Sequence, residues 1–562
     1  MSTPPWILPG ALVGALALAG HGRQSDPPPA PPAPGHRGPA VAPASGVLAG
    51  PARYAARLHG AFDAERAMEV VLFADRFYRA PASEGYDASL EFLRERLEAA
   101  GFGEDPRLEL RVLEAPMDAP AWTPRSAKLS LHLPGGRTQR LHGFQKPGDR
   151  ERTMLPRNAP PADVTGEAVF RLEDVTEGKV LVTEVRLRPD LLRRAATQGA
   201  AAVLSSSLSP YNVDPTGGER HLDSIQYRVM QPDCPLPVCQ ISPRTYRLLA
   251  DHASEHKRAR VTFQADVDLV RRPLRVLMAA VVGDRRPDEA VVAVSHLQMP
   301  GACDNASGVA GLLEGAISLS GMLRAGELPW PSRTLVFLWG DEFRQSEAWL
   351  EATQRAPVAA ISAILTGDSP AATGGPLLLE RQPDPGALVT LPPDEHTAWG
   401  AGEVERDTIL PAGLNVIARC ALADVRAAVG GEWATAEHPW EGGTDHDVFL
   451  GHGVPAILFW HFSGLIYHTS LDRPAYVDPE ELRRTAAATL ATALAVADPR
   501  PEDLERYLAC VDLEEELRLA AAEEAEDEDL AREWRTWSEG ARAWLRAECG
   551  GGAGGASASD DR

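Results

Sequence analysis

The chain has 562 residues, of which 44% are hydrophobic and 24% are charged. These fractions are typical of a folded protein and exclude a collagen-like, fully disordered or polytopic membrane chain. The net charge of −23 argues against a protein that mainly binds nucleic acid or anionic lipid, because phosphate binding needs a basic surface.

The first 51 residues have the composition of a leader and a spacer. An apolar run from Trp6 to Ala19 is too short to span a bilayer as a stable helix and ends in small residues suited to signal cleavage. We interpret residues 1–21 as a candidate signal segment and expect an exported protein, periplasmic or extracellular, with a cytoplasmic location as the alternative. Residues 22–51 are rich in proline and alanine, which predicts an extended linker.

Four further segments follow in chain order. Residues 52–118 predict helix and then strand, since apolar residues recur at helical spacing up to Ala100 and alternate from Leu108 to Val112. Residues 119–265 hold short strand-like runs between Pro and Gly turns and predict a β-rich unit. Residues 266–500 repeat strand, loop and helix, which predicts an α/β domain with a largely parallel sheet. Residues 501–562 predict an acidic helical extension with a Gly-rich tail.

The chemically informative region begins where a buried-type strand runs into His296. Ligand sites in open α/β sheets gather at the carboxyl ends of strands. Asp304 follows eight residues later, just before an amphipathic helix that Asn305 or Ser307 is suited to cap. These positions predict that His296 and Asp304 lie close together.

The same arrangement recurs after three more predicted strands, which are followed by Asp341 and Glu342, by Asp368, and by Tyr467 and His468. Imidazole and carboxylate groups are suitable zinc ligands. Two metals that share a carboxylate polarise a carbonyl and lower the pKa of a bound water, while another carboxylate acts as general base. The ordered set therefore indicates a metal-dependent hydrolase.

These motifs resemble the co-catalytic zinc exopeptidases, a family that includes bacterial leucyl aminopeptidases and glutamate carboxypeptidases. The resemblance covers residues 266–500 well and 52–113 more loosely. It implies an α/β fold, a three-layer α/β/α domain with a mostly parallel sheet. It also implies an inserted protease-associated domain, which residues 119–265 resemble more weakly. The matching segments are Ser295–His296, Gly301–Gly308, Trp339–Glu342, Gly367–Asp368, Thr444–His446 and Tyr467–Ser470.

Carried over by position, the resemblance implies a site with two Zn²⁺ ions. Asp304 bridges them, Glu342 and His468 complete one, and His296 and Asp368 complete the other. Asp341 takes the position of the general base. The remaining candidates are Tyr467 as an oxyanion donor or a structural residue, Asp445 and His446 as pocket or structural residues, and Arg381 as a ligand of a substrate carboxylate or a solvated arginine.

Two departures from the family pattern leave alternatives open. Asp341 stands where the family has glutamate, and Gln298 stands where it has an aspartate that orients the first histidine. We expect an aminopeptidase acting on peptides, because no arginine cluster is assignable to a terminal carboxylate. The alternatives are a catalytically impaired binding or scaffold homologue and a glutaminyl-cyclase-like enzyme. Side-chain preference and oligomeric state stay open.

Overall fold

Two β-sheets organise the computed structural model, which describes residues 48–146, 148–367, 375–462 and 464–550. The predicted signal segment, nearly all of the linker and the Gly-rich tail lie outside the described residues. The strands are β1 (Leu108–Ala115), β2 (Ala121–His132), β3 (Thr138–Phe144), β4 (Ala162–Val169), β5 (Val180–Thr183), β6 (Ala202–Ser205), β7 (Val238–Gln240), β8 (Arg260–Val270), β9 (Leu274–Val281), β10 (Arg286–His296), β11 (Arg333–Gly340), β12 (Ala356–Ala363), β13 (Leu377–Glu380), β14 (Thr435–His438) and β15 (Ala456–Trp460).

Helices flank both sheets. They are α1 (Ala55–Ala61), α2 (Ala64–Ala74), α3 (Glu84–Ala99), α4 (Pro189–Thr197), α5 (Pro243–His256), α6 (Ala306–Arg324), α7 (Arg344–Ala352), α8 (Pro385–Leu388), α9 (Leu414–Ala428), α10 (His446–Gly451), α11 (Pro479–Ala497), α12 (Leu504–Glu524) and α13 (Glu528–Cys549). The predicted helix up to Ala100 and the strand from Leu108 are confirmed as α3 and β1.

The first sheet has the strand order β1-β9-β11-β10-β12-β15-β13-β14. Its centre is parallel, since β10 pairs in parallel with both β11 and β12, and β12 with β15. Residues 290–296 of β10 are all buried, as expected for a strand covered on both faces. His296 pairs with Gly340, so the carboxyl ends of β10 and β11 meet at one edge.

Three layers result because side chains alternate across the sheet. Val291 and Ala293 face a core shared with α6 and α11, whereas Val292 and Val294 face a smaller core with α7 and α10. The predicted three-layer α/β/α class is therefore confirmed. Among the described residues, α6 alone is long and apolar enough to cross a membrane, but 89% of that window is buried inside the protein.

The second sheet is formed by the chain segment that connects β1 and β9, two strands that pair antiparallel in the first sheet. The chain between them forms a sheet with the order β3-β2-β8-β4-β5-β6-β7 around a separate core. We call residues 121–270 the inserted unit. Its sheet is antiparallel from β3 to β4 and parallel from β4 to β7.

The acidic C-terminal extension consists of α12 and α13, which join the main core. Trp534 and Trp537 are almost fully buried there. Arg419 of α9 donates two hydrogen bonds to Glu514 of α12, at 3.1 and 3.0 Å, and two to Glu437, at 2.8 and 3.0 Å. Because these charges are buried and mutually satisfied, the extension is an integral part of the fold.

Candidate active site

Four of the five predicted metal ligands meet at the carboxyl edge of the first sheet. Asp304 lies between two histidines, with Oδ1 at 3.3 Å from His296 Nε2 and Oδ2 at 2.8 Å from His468 Nε2. Glu342 Oε1 lies 3.5 Å from His296 Nδ1. The fifth predicted ligand, Asp368, lies outside the described residues.

The donor atoms of this group fit a metal. His296 Nδ1 is buried and makes no hydrogen bond, although buried polar atoms are almost always hydrogen-bonded. The buried atoms Asp304 Oδ2 and His468 Nε2 have only each other, 2.8 Å apart. Burial also raises the pKa of Glu342, because the charged form is poorly solvated there. A cation at this place would satisfy these atoms and offset the buried negative charge.

Asp341 lies next to this group, as the sequence predicts for the base. Its side chain is buried, and burial raises its pKa to about 6, against the opposing charges of Arg157 and Arg344. Arg344 Nη1 lies 4.0 Å from Asp341 Oδ2. A carboxyl group with a pKa near the working pH can both take up and release a proton.

The loop between β10 and α6 is held by two buried residues that sequence reasoning missed. The Asp472 carboxylate accepts hydrogen bonds from the backbone amides of Cys303 (2.6 Å) and Asp304 (2.9 Å). Arg79, which is fully buried, donates to the carbonyl oxygens of Leu297 (2.9 Å) and Gly301 (2.8 Å). Both residues fix where Asp304 points, and neither lies in a motif that marks it.

Asn305 has a different role from the predicted one. It occupies the N-cap position of α6, but its side chain makes no capping hydrogen bond. Instead, Nδ2 donates to the carbonyl oxygen of His296 (2.9 Å), and Oδ1 accepts from the backbone amide of Leu365 (3.1 Å). Ser307 Oγ donates back to the carbonyl oxygen of Cys303 (2.6 Å). The asparagine thus ties the end of β10 to the segment after β12.

Gln298 contacts Glu342 and not the histidine ring. Its Nε2 donates to Glu342 Oε2 (3.1 Å), and its Oε1 accepts from the backbone amide of Glu342 (3.0 Å). A second carboxylate, that of Asp445, also faces His296 Nδ1, at 3.9 Å. Asp445 is fully buried and accepts from the side chains of Gln345 and Ser346, each at 2.8 Å. Asp445 and Glu342 thus face the same ring nitrogen of His296.

Two of the other predicted pocket residues are paired with carboxylates outside this group. His446 Nε2 lies 2.8 Å from Glu380 Oε1. Arg381 is fully buried, and its guanidinium pairs with Asp384 and Asp394 at 2.7 Å each. Because the protein's own carboxylates occupy Arg381, we do not carry it into the proposed substrate site.

Tyr467 lies in an aromatic cluster beside the predicted metal ligand His468. Its ring stacks on that of His468 with centroids 3.9 Å apart, and those of Tyr211, Trp399 and Phe462 lie 5.8 to 5.9 Å away. Burial raises the pKa of Tyr467 well above its ordinary value of 10.0. Its hydroxyl therefore stays protonated and can act as a donor.

A second group of metal-type side chains lies nearby, within the part of the chain that the structure describes. Glu380, His438 and Glu441 are buried, with one donor atom from each inside 4.8 Å of the others. However, His438 Nδ1 lies 2.7 Å from the carbonyl oxygen of Pro439, and Trp460 Nε1 donates to His438 Nε2 at 2.9 Å. Both ring nitrogens are thus engaged, which favours a hydrogen-bonded structural cluster.

Comparison with known proteins supports the fold. No protein-family model and no curated protein sequence matches the chain. Among solved structures, a peptidase M28 precursor from Shewanella amazonensis SB2B matches at 17% identity and a TM-score of 0.51, over 79% of this chain and 96% of its own.

Two further solved structures match at lower TM-scores. A zinc aminopeptidase from Bacillus subtilis has 15% identity and a TM-score of 0.49, over 77% of this chain and 94% of its own. A glutaminyl cyclase from Porphyromonas gingivalis has 12% identity and a TM-score of 0.36, over 77% and 98%. We argue from the first structure alone: the chain has the α/β fold of the M28 peptidase precursor.

Proposed function

We propose that the protein is a zinc-dependent exopeptidase, and specifically an aminopeptidase that binds two Zn²⁺ ions. One observation carries this proposal: the side chains of His296, Asp304, Glu342 and His468 converge at the ends of parallel strands, so that each imidazole or carboxylate group lies within 3.5 Å of another. The fold shared with the M28 peptidase precursor is consistent with it. We extend the ligand set to Asp368 on the sequence resemblance.

The chain's own residues supply the proton transfers. Zinc bound at these ligands would polarise the scissile carbonyl and lower the pKa of the attacking water. Asp341 takes the proton of that water and returns it to the leaving amine, for which its raised pKa is suited. The Tyr467 hydroxyl donates to the oxygen on which negative charge develops, where preorganised donors have their largest effect.

We favour an aminopeptidase over a carboxypeptidase because the arginines that could bind a substrate's terminal carboxylate are already paired within the protein. Arg381 is occupied as described above. Arg473 Nη2 lies 2.7 Å from Asp75 Oδ2, and Arg344 donates to Met117 Sδ at 2.9 Å. Because all three guanidinium groups are engaged within the protein, binding a substrate carboxylate would require breaking existing contacts.

A panel of blocked tripeptides tests this proposal. The zinc-loaded protein is incubated with a free tripeptide, its N-acetylated form and its C-terminal amide. An aminopeptidase releases the first residue from the free and amidated forms but not from the acetylated one. Release of the last residue from the free and acetylated forms, but not from the amide, would indicate a carboxypeptidase. The absence of chelator-sensitive release from every form would reject the peptidase assignment.

Asp341 and Gln298 favour one alternative, a homologue with impaired catalysis that binds peptides. Asp341 is one methylene shorter than the glutamate it replaces, and Gln298 places no charge against the histidine ring. The substitution Asp341→Glu discriminates between an active peptidase and an impaired homologue. An inert wild type with an active Asp341→Glu variant would support the impaired homologue. Ring closure of glutaminyl peptides, assayed in parallel, would indicate the cyclase.

A further inference from the structure

The loop that carries His468 takes key hydrogen bonds from the inserted unit. The His468 carbonyl oxygen accepts from the backbone amide of Tyr227 (2.6 Å) and from Nε2 of Gln226 (2.8 Å). Gln226 also forms an antiparallel bridge with Thr469. The predicted ligand therefore lies on a backbone segment that is paired with another unit of the protein.

A second buried amide extends this contact. Asn212 Nδ2 donates to the carbonyl oxygens of Gly464 (2.6 Å) and Tyr467 (2.8 Å). Asn212 and Gln226 are both fully buried, and Gln226 Oε1 is itself fixed by the backbone amide of Ser209 (2.8 Å). The Gln226 amide is thus held in place from its other side before it reaches the loop.

The conformation of the loop needs this support. His468 has φ of +56°, a left-handed conformation that costs a residue other than glycine about 1–2 kcal/mol. Such a conformation persists only where the surroundings over-determine it. The next contact along the loop is again with the inserted unit, since Ser470 N donates to Ile225 O (2.9 Å) and Ser470 Oγ accepts from Ile225 N (3.1 Å).

The inserted unit also contacts the loop that carries Asp304. Arg152 Nη2 lies 2.8 Å from Asp75 Oδ1 and donates to the carbonyl oxygen of Pro300 (2.5 Å). Arg473, just beyond the His468 loop, pairs with the other oxygen of Asp75 at 2.7 Å. One unit therefore braces both segments that bring ligands to the site.

We propose that the inserted unit positions His468 for metal binding, with Gln226 and Asn212 as the positioning residues. This inference rests on the proposed function, because it takes His468 as a zinc ligand. Loss of the groups that orient a ligand typically weakens metal binding 10- to 100-fold. We therefore expect the affinity of one zinc position to depend on residues that touch no metal.

Gln226→Met in the full chain tests this directly, since methionine keeps the length of the side chain and removes both hydrogen bonds. Gln240→Met is the matched control, because Gln240 is equally buried in the same unit and its side-chain amide makes no hydrogen bond. Zinc affinity is measured by competition with a chromophoric chelator, with Zn²⁺ itself as the probe. Thermal unfolding reports whether each variant folds.

We expect Gln226→Met to fold cooperatively, to bind one zinc equivalent 10- to 100-fold more weakly, and to regain activity in excess zinc. Gln240→Met should match the wild type. Asn212→Ser shortens the other donor and should weaken binding of the same zinc equivalent. This variant replaces Gln226→Met in the test if Gln226→Met does not fold. If both variants fold and bind zinc with wild-type affinity, the inference is overturned and the proposed function is not. If the wild type binds no zinc, the proposed function and the inference are both overturned.

Discussion

Replacing Asp341 by asparagine tests the base most sharply, because the side chain keeps its size and loses its ability to accept a proton. Removal of a general base typically slows a reaction 10²- to 10⁴-fold, which is about 3–5 kcal/mol in activation free energy. Zinc content should not change, because Asp341 is not among the four ligands that converge. Asp87→Asn is the control and should leave the rate unchanged, because Asp87 is a half-buried aspartate with a raised pKa that pairs with Arg272 and is not among the predicted site residues.

The same substitution should stabilise the zinc-free protein. Burial raises the pKa of Asp341 from 3.8 to about 6, a difference of about two units at 1.36 kcal/mol each, or about 3 kcal/mol. Since the folded state holds this proton more tightly than the unfolded state, stability falls as pH rises from about 4 to 6 and stays lower above that range. Asparagine removes this penalty, so the gain is largest above pH 6.

The measurement is urea unfolding in the presence of a chelator at pH 7.5 and at pH 4.5, monitored by tryptophan fluorescence. We expect Asp341→Asn to be more stable than the wild type at pH 7.5, by up to about 3 kcal/mol, and the difference to shrink at pH 4.5. A kcat within threefold of the wild type, or equal stability of the two proteins at both pH values, would refute this account of Asp341.

Four further substitutions test other parts of the structure. Burial raises the pKa of Glu441 to about 8, so Glu441→Gln should be more stable than the wild type above pH 8 and no more stable at pH 4.5. Thermal unfolding across that range checks the sign, and a pH-independent difference would contradict it. Arg419→Met removes the nearest cationic partner of two buried glutamates, Glu437 and Glu514, and should cost about 3–5 kcal/mol. Arg542→Met, at a more exposed ion pair, should cost less than about 1 kcal/mol, and equal losses in urea unfolding would contradict the buried network. In Gly301→Ala, the new Cβ would lie 1.9 Å from Asp472 Oδ2, so the variant should bind zinc more weakly by chelator competition; wild-type affinity would show that this carboxylate does not position the loop.

The sheet and most of the site could be predicted from the sequence because both depend on local patterns. Near-continuous apolar runs mark strands that are buried on both faces, and parallel strands bring their carboxyl ends to one edge. His296 and Glu342 each follow such a run closely, and Asp304 and His468 lie within one loop length of it. Their convergence in space is therefore a consequence of topology.

The remaining features depend on contacts between distant parts of the chain. Asp472 reaches the amides of Cys303 and Asp304 across about 170 residues of sequence, and no periodicity records that pairing. An arginine such as Arg381 is expected at the surface. In the fold, however, its guanidinium is surrounded by three acidic residues that are brought together only by tertiary contacts. The overall acidity of residues 501–562 likewise conceals the apolar face that α13 buries, with Trp534 and Trp537 at its centre.

The zinc content of the purified chain, compared with that of Asp304→Asn, tests the central claim most directly. Asp304 lies between both histidines, so its carboxylate is the ligand that the two metal positions share in the proposed site. Elemental analysis should find two zinc ions per wild-type chain and fewer than one per Asp304→Asn chain, with both proteins folded. Less than one zinc per wild-type chain, or equal zinc in the two proteins, would contradict a two-metal peptidase site at these strand ends.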